Sequence, residues 1–205
     1  MKIYITRHGE TVWNTEGRCQ GSKNSDLTEK GVSDAGKLGE RLKNVKFDCI
    51  YCSPLKRAID TAECIMEDRN IKLVLKDELK ELNFGAWEGE RFADIKEKYP
   101  VQYYNLWNNL EGYEPVEGET MEELIKRVQS FLKELLENDD MDNVLVVAHT
   151  FIVRAITLIV KGYSLEKFWN PPYTGNTCLS IVEVKGDKPT IIMEADISHL
   201  NENNY

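Results

Sequence analysis

The chain is poor in histidine, in positive charge and in long apolar runs. It has three histidines in 205 residues, and 26 Lys and Arg stand against 35 Asp and Glu, for a formal net charge of -9. This balance argues against nucleic acid or an anionic membrane as a partner, so a phosphate site would need a local cluster of cations. The most apolar window, residues 151–160, contains Arg154 and is too short to span a bilayer.

Signs of redox or metal chemistry are also scarce. The cysteines number five, which is odd, and no hydrophobic leader follows Met1, so we expect reduced thiols in a cytoplasmic protein. Cys49 and Cys52 have a C-x-x-C spacing, but residues three apart in a strand point to opposite faces. Because no second cysteine pair or HExxH helix completes a ligand set, we predict core packing for both, with no metal and no cofactor.

The chain does contain a polar motif directly behind an apolar run. Residues 3–5 are Ile-Tyr-Ile, which is typical of a buried strand, and Arg7, His8 and Gly9 follow closely. Open α/β sheets bind ligands at the carboxyl ends of their strands. An arginine there supplies a permanent cation beside an imidazole that can attack when neutral, and glycine allows close approach of the backbone. The motif therefore suits nucleophilic attack on phosphorus.

His149 repeats this arrangement. It follows the apolar run at residues 144–148, as His8 follows the first run. Two of the three histidines thus stand at predicted strand ends, which favours a shared site. Arg57, near the N-terminus of a predicted helix, can join Arg7 in bidentate contacts to phosphoryl oxygens. His199 lies in a polar tail, and we expect it to be solvated.

Alternating periodicities predict an α/β fold. Apolar residues at helical spacing indicate helices over about 32–42, 55–65 and 121–135, and a buried helix after His149. Ser53 before Pro54 is a favourable N-cap for the second helix, and Thr120 with Glu123 would form a capping box on the third. We predict strands at 2–6, 48–52, 72–75, 143–148, 178–184 and 190–194, with a hairpin turn at 185–188. Strands alternating with helices indicate a mostly parallel sheet between helical layers.

The segment 84–113 breaks this rhythm with a dense group of aromatic residues. Two interpretations stay open: the aromatics pack a pair of core helices, or they line a substrate pocket under a cap over the strand ends. Both can hold at once. The aromatics are Phe84, Trp87, Phe92, Tyr99, Tyr103, Tyr104, Trp107 and Tyr113.

A series of short motifs runs in order along nearly the whole chain. They are Arg7-His8-Gly9-Glu10-Thr11 with Asn14, Gln20-Gly21, Asp26-Leu27-Thr28-Glu29-Lys30-Gly31, Ser53-Pro54-Leu55-Lys56-Arg57-Ala58, Glu81-Leu82-Asn83-Phe84-Gly85, Gly118-Glu119-Thr120 and Val147-Ala148-His149. Together they resemble the histidine phosphatase superfamily, the phosphoglycerate-mutase-like group with the RHG signature. The resemblance implies a single domain over residues 1–205, with three layers and a small helical cap at about 84–119 above the carboxyl ends of the strands.

The resemblance also implies roles for the motif residues. His8 would be the nucleophile that becomes phosphohistidine. Arg7, Arg57 and His149 would hold the phosphoryl group, and Asn14 would donate a hydrogen bond to it. No metal ion takes part in this chemistry.

Glu81 matches the general acid of the family, which protonates the leaving alkoxide and then activates the hydrolytic water. Burial under the aromatic cap would raise its pKa toward a useful value. Glu88 is a near competitor, and Glu10 is expected to act mainly in structure. The remaining candidates for binding phosphate or substrate are Gln20, Gly21, Thr150 and Trp107.

We therefore expect a metal-independent phosphomonoesterase that acts on a small metabolite, with no nucleic-acid or membrane partner. The dense cap aromatics and the resemblance of Trp107 and its neighbours to α-ribazole phosphatases make α-ribazole phosphate a candidate substrate. One alternative is a phosphoglycerate mutase primed by 2,3-bisphosphoglycerate, although the insertion usual in mutases is missing. Another is a catalytically silent binding module on the same fold. A monomer and a homodimer are both open.

Overall fold

The computed structural model describes residues 1–137, 140–186 and 188–200, and a six-stranded sheet forms its centre. The strand order is β3-β2-β4-β1-β5-β6. Strands β1 to β4 are mutually parallel, whereas β5 pairs antiparallel with β1 and β6. The strands are β1 (Lys2–Arg7), β2 (Cys49–Cys52), β3 (Leu73–Leu75), β4 (Asn143–Ala148), β5 (Leu179–Lys185) and β6 (Lys188–Asp196).

All six predicted strands are confirmed, with each end within two residues of the expected position. Lys185 pairs with Lys188, so the predicted hairpin is present too. Asp187, in its turn, lies outside the described residues. Because β1, β2 and β4 are parallel and adjacent, residues that follow them gather at one edge of the sheet.

The helices flank the sheet on both sides. They are α1 (Val12–Thr15), α2 (Glu29–Arg41), α3 (Lys56–Met66), α4 (Phe92–Lys98), α5 (Pro100–Asn108), α6 (Met121–Leu136) and α7 (Thr150–Lys161). The periodic apolar faces predicted for α2, α3 and α6 are buried, except at Val32, which is 47% exposed, and at Ile59 and Ile125, which are partly buried. Within the described ranges, no helix combines the length and apolar character needed to cross a membrane.

The two faces of the sheet pack against separate groups of helices. Ile3, Ile5 and Val146 share one apolar cluster with side chains of α6 and α7. Tyr4 and Leu145, on the other face, cluster with α2 and α3. The predicted three-layer α/β architecture is therefore confirmed.

The cysteines follow the same alternation. Cys49 belongs to the first cluster and Cys52 to the second, so the C-x-x-C pair points to opposite faces, as predicted. Both are buried free thiols. Core packing is confirmed for the pair.

The structure corrects two expectations about polar residues. Ser53 does not cap a helix: α3 begins at Lys56 with Leu55 as N-cap, and the Ser53 hydroxyl lies 2.7 Å from His149 instead. His199 is not simply solvated, because its 3₁₀ turn (Ser198–Leu200) brings Nδ1 to 3.3 Å from Arg41, and burial lowers its pKa to about 4. The capping box of Thr120 on α6 is present as predicted.

The aromatics of the predicted cap divide between core and cavity. Trp87 is fully buried, with its ring centroid 5.9 Å from that of Tyr113, so these two pack the core. Phe92 and Trp107, on α4 and α5, line a cavity at the carboxyl ends of the strands. Tyr104 is 62% exposed and serves neither purpose. The segment therefore supplies aromatic side chains both to the core and to the lining of this cavity.

Candidate active site

A cavity of about 450 Å³ opens at the carboxyl end of β1. It brings together nearly all the predicted site residues. The lining includes Arg7, His8, Asn14, Gln20, Gly21, Arg57, Glu81, Trp107 and Thr150. His149 lies directly behind, with its ring centroid 5.2 Å from that of His8. A larger cavity of about 660 Å³, near the C-terminal ends of α6 and α7, is lined mainly by aliphatic side chains such as Leu132 and Ile156.

His8 is oriented by its own turn. Its Nδ1 atom lies 2.7 Å from the carbonyl oxygen of Gly9, which accepts a hydrogen bond when Nδ1 carries the proton. In that tautomer Nε2 carries the free lone pair, and Nε2 is therefore the ring atom that can attack. Burial, followed by the charges of Arg57 and Arg7, holds the pKa of His8 well below its usual value. The ring is therefore neutral at pH 7 and competent as a nucleophile.

Gly9 supports this turn from the other side. Its N–H donates to the Thr61 hydroxyl at 2.9 Å, and that hydroxyl donates to the Arg57 carbonyl at 2.6 Å. A Cβ at Gly9 would lie 2.7 Å from the backbone oxygen of Gly31, so a side chain cannot fit there. The close packing of β1, α2 and α3 thus sets the position of His8.

His149 lies at the end of β4, immediately before α7. Its Nε2 atom is 2.7 Å from the Ser53 hydroxyl at the end of β2. Burial, and then the charge of Arg57, lowers the pKa of His149 well below its usual value, so this ring is also neutral. Two neutral imidazoles therefore stand side by side, and each has one nitrogen engaged by the protein.

Two arginines supply the positive charge. The guanidinium of Arg57 is buried and donates to the carbonyls of Gly21 at 2.7 Å and Lys23 at 2.6 Å. Burial lowers the pKa of Arg57 to about 10, which leaves it a cation at neutral pH. Arg7 donates from Nη1 to the Thr174 carbonyl at 3.1 Å. Both side chains are thus fixed by backbone contacts before any ligand binds.

Some buried nitrogens around His8 remain without a protein partner. Within the described part of the chain, Nε of Arg7, Nε of Arg57 and Nδ1 of His149 are buried and make no hydrogen bond. Unsatisfied buried donors are costly, and they are usually kept only where a ligand satisfies them. An anion bound beside His8 would do so.

Glu81 lines the same cavity and is 8% exposed. Its Oε1 atom accepts from the N–H groups of Leu82 at 2.9 Å and Phe151 at 3.3 Å. Burial raises the pKa of Glu81, as expected from the sequence, although the hydrogen bond from Leu82 and the nearby arginines oppose the shift. A carboxyl group with a raised pKa can act as a proton donor.

The competing carboxylates have structural contacts. Glu88 accepts from the N–H groups of Ser22 at 2.8 Å and Phe84 at 3.2 Å, and so ties two loops together. Glu10 accepts from the Thr28 hydroxyl at 2.9 Å, near the start of α2. Neither carboxylate is among the residues that line the cavity, whereas Glu81 is, and this favours Glu81 as the acid.

Four further predicted binding residues line the same cavity. Asn14 accepts at its side-chain oxygen from the N–H of Thr11 at 3.1 Å and from the side-chain amide of Asn176 at 3.3 Å, which leaves its own amide N–H for a ligand. Gln20 has its side-chain oxygen 3.1 Å from the Thr11 hydroxyl. Thr150 is the first residue of α7 and faces the cavity. Gly21 has φ +52°, which favours glycine.

Several lining residues were missed by sequence reasoning. Trp169 lies after α7 and lines the cavity beside Trp107, with the two ring centroids 4.9 Å apart. Arg154, on α7, donates to the carbonyls of Phe168 at 2.6 Å, Asn170 at 3.1 Å and Pro172 at 3.1 Å. Its guanidinium lies 5.1 Å from the Trp169 ring centroid. A charged residue inside an otherwise apolar helix was the available signal for Arg154, whereas nothing in the local pattern marked Trp169.

No cluster of three or more His, Cys, Asp or Glu side chains suited to a metal ion occurs among the described residues. Among the polar groups that the cavity gathers are two neutral imidazoles, two arginines and one carboxyl group.

Comparison with known proteins agrees with this geometry. The family model for the histidine phosphatase superfamily (branch 1) matches residues 3–196. The chain is 32% identical over 203 residues to phosphoserine phosphatase 1 of Hydrogenobacter thermophilus, covering 98% of this chain and 95% of the relative. It is also 32% identical to the adenosylcobalamin/alpha-ribazole phosphatase of Escherichia coli, covering 83% of this chain and 84% of the relative.

A solved structure supports the same assignment. Bacillus stearothermophilus YhfR superimposes with a TM-score of 0.95 at 34% identity, covering 98% of this chain and 99% of that one. The chain belongs to the histidine phosphatase superfamily. It is an enzyme of the phosphatase class, so the resemblance found in the sequence is confirmed.

Proposed function

We propose that this enzyme hydrolyses a small phosphate monoester through a phosphohistidine formed on Nε2 of His8, without a metal ion. The observation that carries the proposal is the set of buried, unsatisfied nitrogens on Arg7, Arg57 and His149 within the described residues. Preorganised donors of this kind stabilise the charge that develops on a transferring phosphoryl group.

The first chemical step forms the N–P bond and breaks the ester P–O bond. Neutral His8 attacks phosphorus with the Nε2 lone pair, while Gly9 holds the Nδ1 proton. The leaving alkoxide takes a proton from Glu81, whose raised pKa keeps part of the population protonated. The products are N-phosphorylated His8, the free alcohol and an ionised Glu81.

The second step returns the enzyme to its starting state. The Glu81 carboxylate takes a proton from water as the water oxygen attacks phosphorus. The N–P bond breaks, its electron pair returns to Nε2 of His8, and inorganic phosphate leaves. Arg7 and Arg57 neutralise the phosphoryl charge in both steps.

The outer part of the cavity supports an aromatic or nucleoside-like leaving group. Phe92, Trp107 and Trp169 form one aromatic wall, with centroid distances of 6.1 Å from Phe92 to Trp107 and 4.9 Å between the tryptophans. Flat groups stack favourably on such side chains. We therefore propose α-ribazole phosphate, named in the E. coli relative, as the first candidate substrate.

Phosphoserine, named in the Hydrogenobacter relative, is the second candidate. Arg154 also lines the cavity, as does Arg18, whose Nε is paired with Glu16 at 2.5 Å. Their charges favour a substrate that carries a carboxylate beside its phosphate. An alkyl phosphate without either feature should be a poorer substrate than both.

Initial rates with four monoesters would decide between these candidates. We would measure kcat/KM for α-ribazole phosphate, phosphoserine, a simple alkyl phosphate and 3-phosphoglycerate, with a coupled mutase assay on the last. Trp169→Ala and Trp107→Ala should each lower the value for α-ribazole phosphate about 10-fold relative to the alkyl phosphate. Tyr104→Ala is the matched control, because it removes an exposed aromatic of the same segment.

Unchanged substrate ratios in both tryptophan variants would contradict the stacking proposal. Higher kcat/KM for phosphoserine would select the second candidate. Interconversion of phosphoglycerates in place of phosphate release would instead support a mutase, and no turnover of any ester would support a silent binding module.

A further inference from the structure

Arg127 makes an unusual number of contacts with the segment that carries Glu81. It lies on α6, and its guanidinium donates to the carbonyl oxygens of Glu78 at 2.6 Å, Lys80 at 2.7 Å and Glu81 at 3.2 Å. These acceptors lie 46 to 49 residues earlier in the chain. One side chain therefore fixes the backbone path on both sides of Lys80 and up to Glu81 itself.

Glu119 completes this arrangement. Its carboxylate accepts from Nε of Arg127 at 2.5 Å and from Nη2 at 2.8 Å, a bidentate contact. Glu119 also accepts from the N–H of Asn83 at 3.3 Å and donates its own N–H to the Asn83 carbonyl at 2.8 Å. The Arg127–Glu119 pair thus contacts the chain immediately before and after Glu81.

The segment needs such support because it has little regular structure of its own. Lys80 and Glu81 lie between two 3₁₀ turns, Asp77–Leu79 and Gly85–Trp87, and belong to no helix or strand. The carbonyls that Arg127 binds would otherwise need other donors. The contact is partly shielded from solvent, with side-chain exposures of 20% for Arg127 and 15% for Glu119.

We propose that Arg127, oriented by Glu119, is a positioning residue that holds the carboxyl group of Glu81 in line with the leaving group. The inference rests on the proposed acid–base role of Glu81, and it assigns to Arg127 no contact with the substrate. Small displacements of a catalytic group from its working position can cost about 100-fold in rate.

The pair should also influence the charge state of Glu81. The cations that face Glu81 are Arg7 from β1, Arg57 from α3 and Arg127 from α6, and all three lower its pKa against the effect of burial. His8 and His149 are neutral, and burial keeps the nearby Cys19 thiol protonated by raising its pKa.

Loss of the Arg127 charge should therefore raise the pKa of Glu81. Loss of the Glu119 charge should lower it, because Arg127 is then uncompensated. A purely structural contact would not produce shifts of opposite sign.

The test uses single-turnover phosphorylation of the enzyme across a range of pH, with an alkyl phosphate and with 4-nitrophenyl phosphate. The variants are Arg127→Met and Glu119→Gln, with Lys126→Met as the control that removes an exposed cation from the same helix. Glu81→Gln is measured beside them. Circular dichroism at each pH confirms that every variant used is folded.

We expect Arg127→Met to slow phosphorylation by the alkyl phosphate roughly 10- to 100-fold, with little loss on 4-nitrophenyl phosphate, whose leaving group hardly needs a proton. In the plot of phosphorylation rate against pH for the alkyl phosphate, the alkaline limb should move to higher pH in Arg127→Met and to lower pH in Glu119→Gln. Lys126→Met should match the wild type.

Two results would overturn the inference, provided that Glu81→Gln still slows the alkyl phosphate more than 4-nitrophenyl phosphate. The first is an equal loss of rate on both substrates in Arg127→Met. The second is that the alkaline limbs of the pH profiles of Arg127→Met and Glu119→Gln do not move in opposite directions. If Glu81→Gln itself loses both activities equally, the proposed role of Glu81 fails first. Should Arg127→Met not fold, the displacement of the limb in Glu119→Gln decides the question alone.

Discussion

The Ser53 hydroxyl and Nε2 of His149 are 2.7 Å apart, and this contact joins the end of β2 to the end of β4. The Ser53 oxygen also accepts from the N–H of Leu55 at 3.3 Å. We predict that the Ser53 hydroxyl donates its hydrogen to Nε2 of His149, which would place the imidazole proton on Nδ1. In that tautomer Nδ1–H can donate to a bound phosphoryl group.

Ser53→Ala should remove the hydrogen bond that fixes this tautomer of His149, and it should slow phosphorylation of His8 by roughly 10-fold. The measurement is single-turnover phosphorylation, combined with ¹⁵N NMR of His149, which should show a protonated Nδ1 in the wild type and a mixture of tautomers in the variant. Ser180→Ala, which removes a buried hydroxyl on β5, is the control. A protonated Nε2 in the wild-type enzyme would contradict this assignment.

Gly21→Ala should impair phosphate binding through two neighbours. At φ +52° an added Cβ would lie 2.1 Å from Oε1 of Glu88, and the Gly21 carbonyl accepts from Arg57 at 2.7 Å. We expect a rise in KM and a loss of about 10-fold in kcat/KM.

Gly162→Ala is the matched control for that change. Gly162 has φ +64° at the end of α7, and nothing lies within 4 Å of an added Cβ. It should lose about 1 kcal/mol of stability from backbone strain and keep its kinetics. Equal kinetic effects in the two variants would show that strain alone, and not displacement of Glu88 and Arg57, is responsible.

Arg154→Met should loosen the wall of the cavity that contains Trp169. It leaves three backbone carbonyls without their donor, so we expect a stability loss on the order of 3 kcal/mol and a higher KM for aromatic esters. Arg69 binds carbonyls in the same way, with donors to Met66, Leu42 and Ile65, but lies outside the cavity lining.

Arg69→Met should therefore lose stability in urea unfolding without a change in KM. A KM for aromatic esters that stays at the wild-type value in Arg154→Met would show that the segment carrying Trp169 keeps its place without this contact.

The two buried histidines should make the fold sensitive to acid. Their pKa values are about 6.5 in the unfolded chain and well below that in the folded protein, chiefly because of burial. Below pH 6.5 the unfolded chain therefore binds more protons, and the free energy of unfolding falls as pH is lowered toward the folded pKa values. Glu81, with its raised pKa, contributes in the opposite direction.

His149→Asn should weaken this dependence. The free energy of unfolding in urea, compared between about pH 7 and about pH 5, should decrease less in the variant than in the wild type. An undiminished decrease would mean that other groups dominate acid sensitivity.

Much of the architecture could be predicted because it depends on local patterns. The apolar runs before His8 and His149 identify two strands, and parallel pairing of β1 and β4 brings their ends together. The alternation along β2 correctly separates Cys49 from Cys52. These features need only the period of a strand and the rule for ligand sites in α/β sheets.

The errors have a common cause in long-range contacts. Ser53 has the sequence of a helix cap, but its hydroxyl partner is His149, 96 residues later. His199 lies in a polar stretch, yet the final 3₁₀ turn brings it against Arg41 of α2. Trp169 belongs to a segment without periodicity that Arg154 holds in place. Local spacing contains no information about such partners.

The chemical nature of the phosphoenzyme tests the central claim most directly. Wild-type enzyme and His8→Ala would each be mixed with a monoester that carries a radiolabelled phosphate and quenched within milliseconds. One half of each quenched sample would then be incubated in acid and the other half in base. We expect label on the wild-type protein that is lost in acid and stable in base, and none on His8→Ala. Acid-stable label, or label that persists in His8→Ala, would contradict a phosphohistidine at this position.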